Sequence, residues 1–313
     1  MRKICVMELL NAKNVRSFSS IRHDEVVHLI DSIRSSSSSG EPVNFTERMI
    51  WFASSMICRS AFGQLLKEQN KFIKLIREVL RLADQGFDMA DIFPSYKFLY
   101  GLGGVKQKIL DVHHKVDSIV EDVINEHKKN FANHKTSDDG LGGGEDLIDV
   151  LLRLMKDKSL QFPINNHNIK AIIIDMFTGG TETTSTTTIW AMAEMMKNPI
   201  VKETLRLHPP IPLSVPRECR EETDINGYTI PVKTKVLINV WALGRDPKYW
   251  DDTESFKPER FDQCSVDFNG NNFEFLPFGS GRRVCPGISF GLANTYLPLA
   301  QLLYHFDWKL PQG

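Results

Sequence analysis

Ten consecutive residues carry a chemistry that the rest of the chain must serve: Phe278-Gly279-Ser280-Gly281-Arg282-Arg283-Val284-Cys285-Pro286-Gly287. A single cysteine sits in a glycine-rich loop, with an arginine two residues before it and an apolar stretch after it. Gly279, Gly281 and Gly287 allow a backbone to approach a flat cofactor and to adopt angles that side chains disfavour. Pro286 suits the first turn of a helix, where its missing N–H leaves no bond unmade. Cys285 would then lie at a helix N-terminus, where free N–H groups and the dipole stabilise a thiolate. Such a thiolate is suited to holding a haem iron, onto which it pushes electron density in favour of O–O cleavage. Arg283 is placed to pair with a haem propionate, and Phe278 to pack on the porphyrin or on the loop. A cysteine taken alone is more often an inert buried thiol. The fixed offsets of Phe, Gly, Arg, Cys and Gly set this one apart.

A second constellation, Gly179-Gly180-Thr181-Glu182-Thr183-Thr184, falls inside the longest helical candidate, residues 164–198. Adjacent glycines weaken a helix and ask for a reason. A ligand close to the backbone is one; a Thr183 hydroxyl standing in for a helical bond is another. The acid Glu182 beside the alcohol Thr183 could relay protons to bound O2, while close helix–helix packing of small residues is the better explanation of the stretch taken alone. A third, Glu203-Thr204-Leu205-Arg206, spaces opposite charges three apart on a helix, a pair usually worth a few tenths of a kcal/mol.

Together these segments resemble the cytochrome P450 family, over nearly the whole chain. The cysteine loop resembles its haem-ligand loop, and residues 179–184 its oxygen-activation motif, with Gly179 where the family commonly has Ala. The resemblance implies haem b held by Cys285, with Phe278, Gly279, Gly281, Arg283 and Gly287 around it. It gives Glu182 and Thr183 proton-delivery roles, and Arg217 and Arg2 contacts to the propionates. Glu203 and Arg206, joined by Arg260 of Pro258-Glu259-Arg260-Phe261, match a structural cluster that locks the cysteine loop; removing a member of such a buried cluster is strongly destabilising. Gly179, Ile211 and Val215 would line the substrate pocket. Residues 202–210, 256–261 and 272–293 resemble the plant microsomal group that oxidises terpenoids and alkaloids.

The elements that must hold these residues are mostly helical. Apolar residues recur at helical spacing over 23–33, 45–62, 69–82, 105–131 and 146–155. Serine- and glycine-rich loops are expected at 35–40 and 137–144, and an irregular apolar connection at 87–104. Pro199 should end the long helix; the β-branched run after Gly180 disfavours helix by propensity unless the helix is buried on all sides. After Pro210 the pattern turns β-like, with an Asn226-Gly227 hairpin over 224–230 and a strand at 235–241. Residues 246–275 are turn-rich, and 288–306 are helical again. The fold class is therefore mainly α with a small β part, read as one P450-like domain over 1–313.

Composition narrows the rest. With 42% hydrophobic and 25% charged residues and a formal net charge of −1, there is no basic excess for binding nucleic acid. Five scattered cysteines fit a reducing, cytosol-facing setting and neither a disulfide framework nor a CxxC metal site. No run reaches membrane-spanning length. No dinucleotide fingerprint appears, so the resemblance implies electrons from NADPH through a flavoprotein reductase, O2 as oxidant, an apolar small-molecule substrate and a membrane surface at the cytosolic face of the endoplasmic reticulum.

Against the family pattern, the chain is expected to lack an anchor and first strands before Met1, a helix pair between Asn198-Pro199 and Val201-Lys202, and a final hairpin after Gly313. An open site leaks reactive species, so low or no turnover is expected. The helix bearing Glu203 should be short or displaced, loosening the cysteine loop. The competing readings are a haem-holding remnant without turnover and a poorly folded product.

Overall fold

The computed structural model describes residues 2–84, 105–133, 146–157, 163–195, 201–262 and 265–309. Its main helices are α1 (Ser19–Ser38), α2 (Phe45–Phe62), α3 (Gln69–Asp84), α4 (Val105–Asn133), α5 (Leu147–Lys156), α6 (Asn166–Met195), α7 (Val201–Leu207) and α8 (Ile288–His305). The strands are β1 (Arg217–Glu218), β2 (Thr223–Ile225), β3 (Tyr228–Ile230) and β4 (Lys235–Val236), paired as β1 with β4 and β2 with β3, both antiparallel. The mainly α architecture with a small β part thus stands as read. The expected stretches 87–104 and 137–144, and Pro199, lie outside the described residues.

Two compact units emerge, Met1–Val43 with Ile50–Glu182, and Asn44–Met49 with Thr183–Gly313. In the first, α6 begins at a reciprocal cap in which Asn165 and Asn168 each accept the other's backbone N–H at 3.0 Å, satisfying two of the donors that a helix start leaves open. Phe177 of α6 then packs between Phe62 of α2 (5.4 Å, stacked) and Phe72 of α3 (4.9 Å, edge-on). Buried Lys170 is satisfied by Asp117 and Glu121 of α4, at 2.8 and 2.6 Å. Asp146 caps α5 by accepting the Asp149 N–H at 2.9 Å, and its other carboxylate oxygen meets His127 of α4 at 2.9 Å.

The second unit centres on Ala191, Met192, Val201, Leu205, Trp250, Phe261, Phe275 and Leu299. Across the short connection after α6, Glu194 takes a 2.9 Å hydrogen bond with His208, and Trp190 stacks on the same imidazole at 4.0 Å. The Asn-Gly hairpin forms as read, with φ of 53° at Asn226 and 83° at Gly227, the signs a type I′ turn needs.

Four expectations are corrected. The serine run is helical to Ser38, because its hydroxyls bond back onto the helix itself, Ser36 to the Ser32 carbonyl and Ser38 to that of Arg34. The strand expected over 235–241 stops at Val236; Asn239 then accepts the Ala242 N–H and caps a short helix, Val240–Leu243. The long helix runs unbroken through its threonines without being buried on all sides, since Gly179 and Trp190 are exposed. Thr187 and Thr188 donate to the carbonyls four residues back, at 2.9 Å each, so their hydroxyls need no other partner in the core. Pro286 precedes the N-cap, Gly287, rather than sitting in the first turn of α8.

Candidate active site

Phe275 and Leu276 are buried and anchor the start of the cysteine loop. The chain then reverses: Gly279 N–H bonds the Leu276 carbonyl at 3.0 Å, Val284 N–H that of Gly281 at 3.1 Å, and Cys285 N–H that of Phe278 at 2.9 Å. Gly279 (φ 71°) and Gly281 (φ 63°) hold left-handed angles that a side chain would strain. Gly287 does not, with φ of −96°. Its N–H points at Cys285 Sγ at 3.4 Å. Cys285 is half-buried. Cys58 is the contrast, fully buried on α2, where burial pushes its thiol up to about 12. One is the inert structural cysteine and the other an accessible sulfur with an N–H directed at it.

Arg217 is carried to this loop by the pairing of β1 with β4. Its Nη2 lies 4.0 Å from where a Gly279 Cβ would be, which places the guanidinium against the loop. Arg282 and Arg283 occupy an exposed 3-10 turn, Gly281–Arg283. Ile211 (42% exposed) and Val215 (61%) present apolar surface just before β1. In the same unit, Thr184 Oγ1 of α6 comes within 3.9 Å of a Gly291 Cβ on α8, the helix that follows Cys285.

Beneath the loop the charged cluster is closed. Arg206 grips Glu203 with two bonds of 2.7 Å, both side chains being fully buried. Arg260 adds a 3.0 Å bond to Glu203 Oε1, and the Lys257 N–H reaches the same oxygen at 2.9 Å. The remaining guanidinium donors of Arg206 go to the Gly244, Thr253 and Ser255 carbonyls. Its face lies over Trp250, 5.4 Å from the ring centre. The helix that bears Glu203 is short, at seven residues, as expected. All of these bonds lie within the second unit, the carboxylate of Glu203 and the carbonyls of Gly244, Thr253 and Ser255 being the acceptors.

In the first unit, Gly179 is exposed with nothing within 4 Å of a Cβ, whereas a Cβ on Gly180 would press Ile57 Cδ1 at 2.9 Å. The glycine pair therefore has two jobs: Gly180 admits α2, and Gly179 leaves open surface. Glu182 is half-buried and accepts a 2.9 Å bond from Arg77 of α3, a partner that spacing alone did not reveal. Thr183 carries its alcohol in the next position and its carbonyl accepts from Thr187. Arg2, half-buried, belongs to the first unit.

A cysteine-bearing loop with two left-handed glycines, a buried Glu–Arg–Arg cluster and a long helix with a paired glycine meet known proteins at one place. The cytochrome P450 family model matches residues 1–202 and 200–313. The chain belongs to the cytochrome P450 family. It is 71% identical over 346 aligned positions to cytochrome P450 71D7 of Solanum chacoense, covering 100% of this chain and 69% of that protein. It is 72% identical to the 5-epiaristolochene 1,3-dihydroxylase of Nicotiana tabacum and 67% to the premnaspirodiene oxygenase of Hyoscyamus muticus, each with 100% of this chain and 68% of the relative covered. A zebrafish cytochrome P450 solved with progesterone shares the fold, with TM-score 0.73 and 22% identity over 96% of this chain and 74% of that one.

As a P450 the chain is a haem-thiolate monooxygenase by family. The two family matches meet at 200–202, and relatives align over 346 positions against 313 residues here. Relatives thus carry residues inside the matched span that this P450 lacks, as expected between α6 and α7. Its residues fit the haem: a soft, accessible thiol with a directed N–H, and glycines that clear the loop's approach. Among the described residues, no helix is long and apolar enough to cross a membrane.

Proposed function

We propose that this P450 holds haem b through the Cys285 thiolate and inserts one atom of O2 into an apolar small molecule of the terpenoid class. Electrons would come from NADPH by way of a flavoprotein reductase at the cytosolic face of the endoplasmic reticulum. Bound haem supplies the redox chemistry that no side chain has. Around it, Gly287 N–H would stabilise the sulfur, Arg217 and Arg283 would hold the propionates, and Phe278 would pack against the porphyrin or the ligand loop. Arg2 is assigned the same propionate role. Glu182 and Thr183 hold and pass protons, with Thr183 oriented by its place on an unbroken helix turn. Gly179, Ile211 and Val215 are each assigned to substrate contact by the family resemblance. The terpenoid class rests on the activities of two relatives, the 5-epiaristolochene 1,3-dihydroxylase and the premnaspirodiene oxygenase, at 72% and 67% identity.

The observation that carries the reading is the accessible Cys285 sulfur with the Gly287 N–H aimed at it. Its test is the difference spectrum of the haem-supplied chain, reduced and exposed to carbon monoxide. A red-shifted Soret band that disappears in Cys285→Ala is the expected result. A band at the ordinary position in both proteins would remove Cys285 as the ligand. The gap between α6 and α7 favours a second reading, a P450 that keeps haem without turnover; retained haem with no product, reductase and substrate supplied, distinguishes it.

A further inference from the structure

Cys285 is aligned through Phe278, whose carbonyl takes the Cys285 N–H, so whatever fixes 278–280 fixes the sulfur. The segment 266–270 does this from outside the motif. Gly270 is buried, has φ of 82°, and touches the loop directly: a Cβ there would stand 3.0 Å from Ser280 Cα, 3.1 Å from the Gly279 carbonyl oxygen and 3.3 Å from Ser280 Cβ. Two of those three atoms are Cα or backbone oxygen, which cannot swing aside as a side-chain tip does. One turn earlier Phe268 meets Phe278 edge-on at 5.5 Å. The segment is itself gripped from α7. Lys202 Nζ lies 3.4 Å from Asp267 Oδ1 and 3.4 Å from the Val266 carbonyl, and sits over the rings of Phe261 and Phe268 at 5.7 and 5.8 Å. Lys202 is the residue immediately before Glu203, at the point where the two family matches meet.

We propose that residues 266–270 form a strap that sets the height of the cysteine loop, with Gly270 and Lys202 as positioning residues for Cys285. The proposal rests on Cys285 as the iron ligand for its role, and on the strap contacts alone for its geometry. Gly270 acts by having no side chain, and Lys202 by tying the strap to the helix that also carries the buried charge cluster. The strap runs from Lys202, next to Glu203, to the cysteine loop through Asp267, Phe268 and Gly270.

Two readouts on the full chain test it. The first is hydrogen exchange at the Cys285 amide without haem. The second is the fraction of thiolate-type Soret band in the reduced, carbon monoxide-treated chain with haem. Gly270→Ala and Lys202→Met should each raise Cys285 amide exchange about tenfold through local opening and shrink the thiolate-type band. Lys202→Arg, which keeps the charge, should restore most of both. Gly227→Ala is the control: it strains an equally left-handed turn (φ 83°) with nothing within 4 Å, and should leave both readouts unchanged. Should Gly270→Ala fail to fold, the Lys202 pair decides. Wild-type exchange at Cys285 in Lys202→Met, or in a folded Gly270→Ala, overturns the strap whatever the spectrum shows. Raised exchange in a chain whose wild type never gives a thiolate-type band keeps the strap and rejects Cys285 as ligand.

Discussion

Glu203 is asked to hold two guanidiniums and a backbone N–H with one buried carboxylate, and that concentration makes single residues decisive. Arg206→Ala would leave the fully buried Glu203 facing a cavity, at a cost of about 3–5 kcal/mol, because a buried charge loses its partner. A urea midpoint that moves by less than a tenth of its value would show the cluster to be dispensable. Arg206→Lys should recover little of the loss, since an ammonium cannot reproduce the paired 2.7 Å bonds or the donors sent to Gly244, Thr253 and Ser255. The three charges were legible as a motif. The carbonyls that complete them were not, because nothing in a turn-rich stretch says which way its oxygens face. Gly279 and Gly281 were legible for the left-handed angles they hold, while the N–H that Gly287 directs at the sulfur is a contact that spacing cannot state.

At the scale of elements, α6 keeps its helix through a run of poor helix formers by letting its threonines bond its own carbonyls. Its two glycines should respond oppositely to substitution. Gly179→Ala has free space and a better helix former, and should raise stability by about 0.5–1 kcal/mol; Gly180→Val must displace Ile57 and should lower it by about 1–3 kcal/mol. Equal thermal shifts in the two variants would contradict this division. The junction of α4 with α5 carries a pH dependence. His127 directs Nδ1–H at the Val123 carbonyl and Nε2 at Asp146, each at 2.9 Å. Burial disfavours its charged form, but the Asp146 carboxylate and the Val123 carbonyl outweigh burial, and His127 is pushed up to about 9 from 6.5. Its folded value therefore lies above the unfolded one. The stabilisation, on the order of 2–3 kcal/mol, is complete below about pH 6.5 and lost as pH rises through about 9. Thermal midpoints measured from pH 6.5 to 9.5 should fall in the wild type and stay flatter in His127→Gln. Parallel curves would remove the clamp. Helix boundaries were close to those expected because apolar spacing sets them. The serine-rich end of α1 and the short β4 differ where side-chain bonds to the backbone outrank composition.

For the molecule as a whole, the family resemblance holds from end to end at high identity while residues are absent inside the matched span. With reductase, NADPH and a terpenoid supplied, product formation is expected to fall far below that of the tobacco relative, with more of the NADPH oxidised without product; full coupling would show that the absent residues are not needed. The proximal architecture is expected to outlast that loss, since the charge cluster, the aromatic core and the cysteine loop all belong to the second unit. By itself the sequence determined the cysteine and its glycines, the acid–alcohol pair, the Glu-x-x-Arg charges, the helices and the hairpin, because local spacing and backbone stereochemistry express each of them within a few residues. Only the tertiary structure decided that Arg217 lies against Gly279, that Arg77 holds Glu182, that Arg206 spends its donors on three distant carbonyls, that Gly270 lies against Gly279 and Ser280, and that Lys202 reaches Val266 and Asp267. Those contacts join residues that are 9 to 105 positions apart, such as Gly270 with Gly279 and Arg77 with Glu182. Nearly all of them depend on which face of a turn meets which element, a quantity fixed by packing and carried by no local pattern.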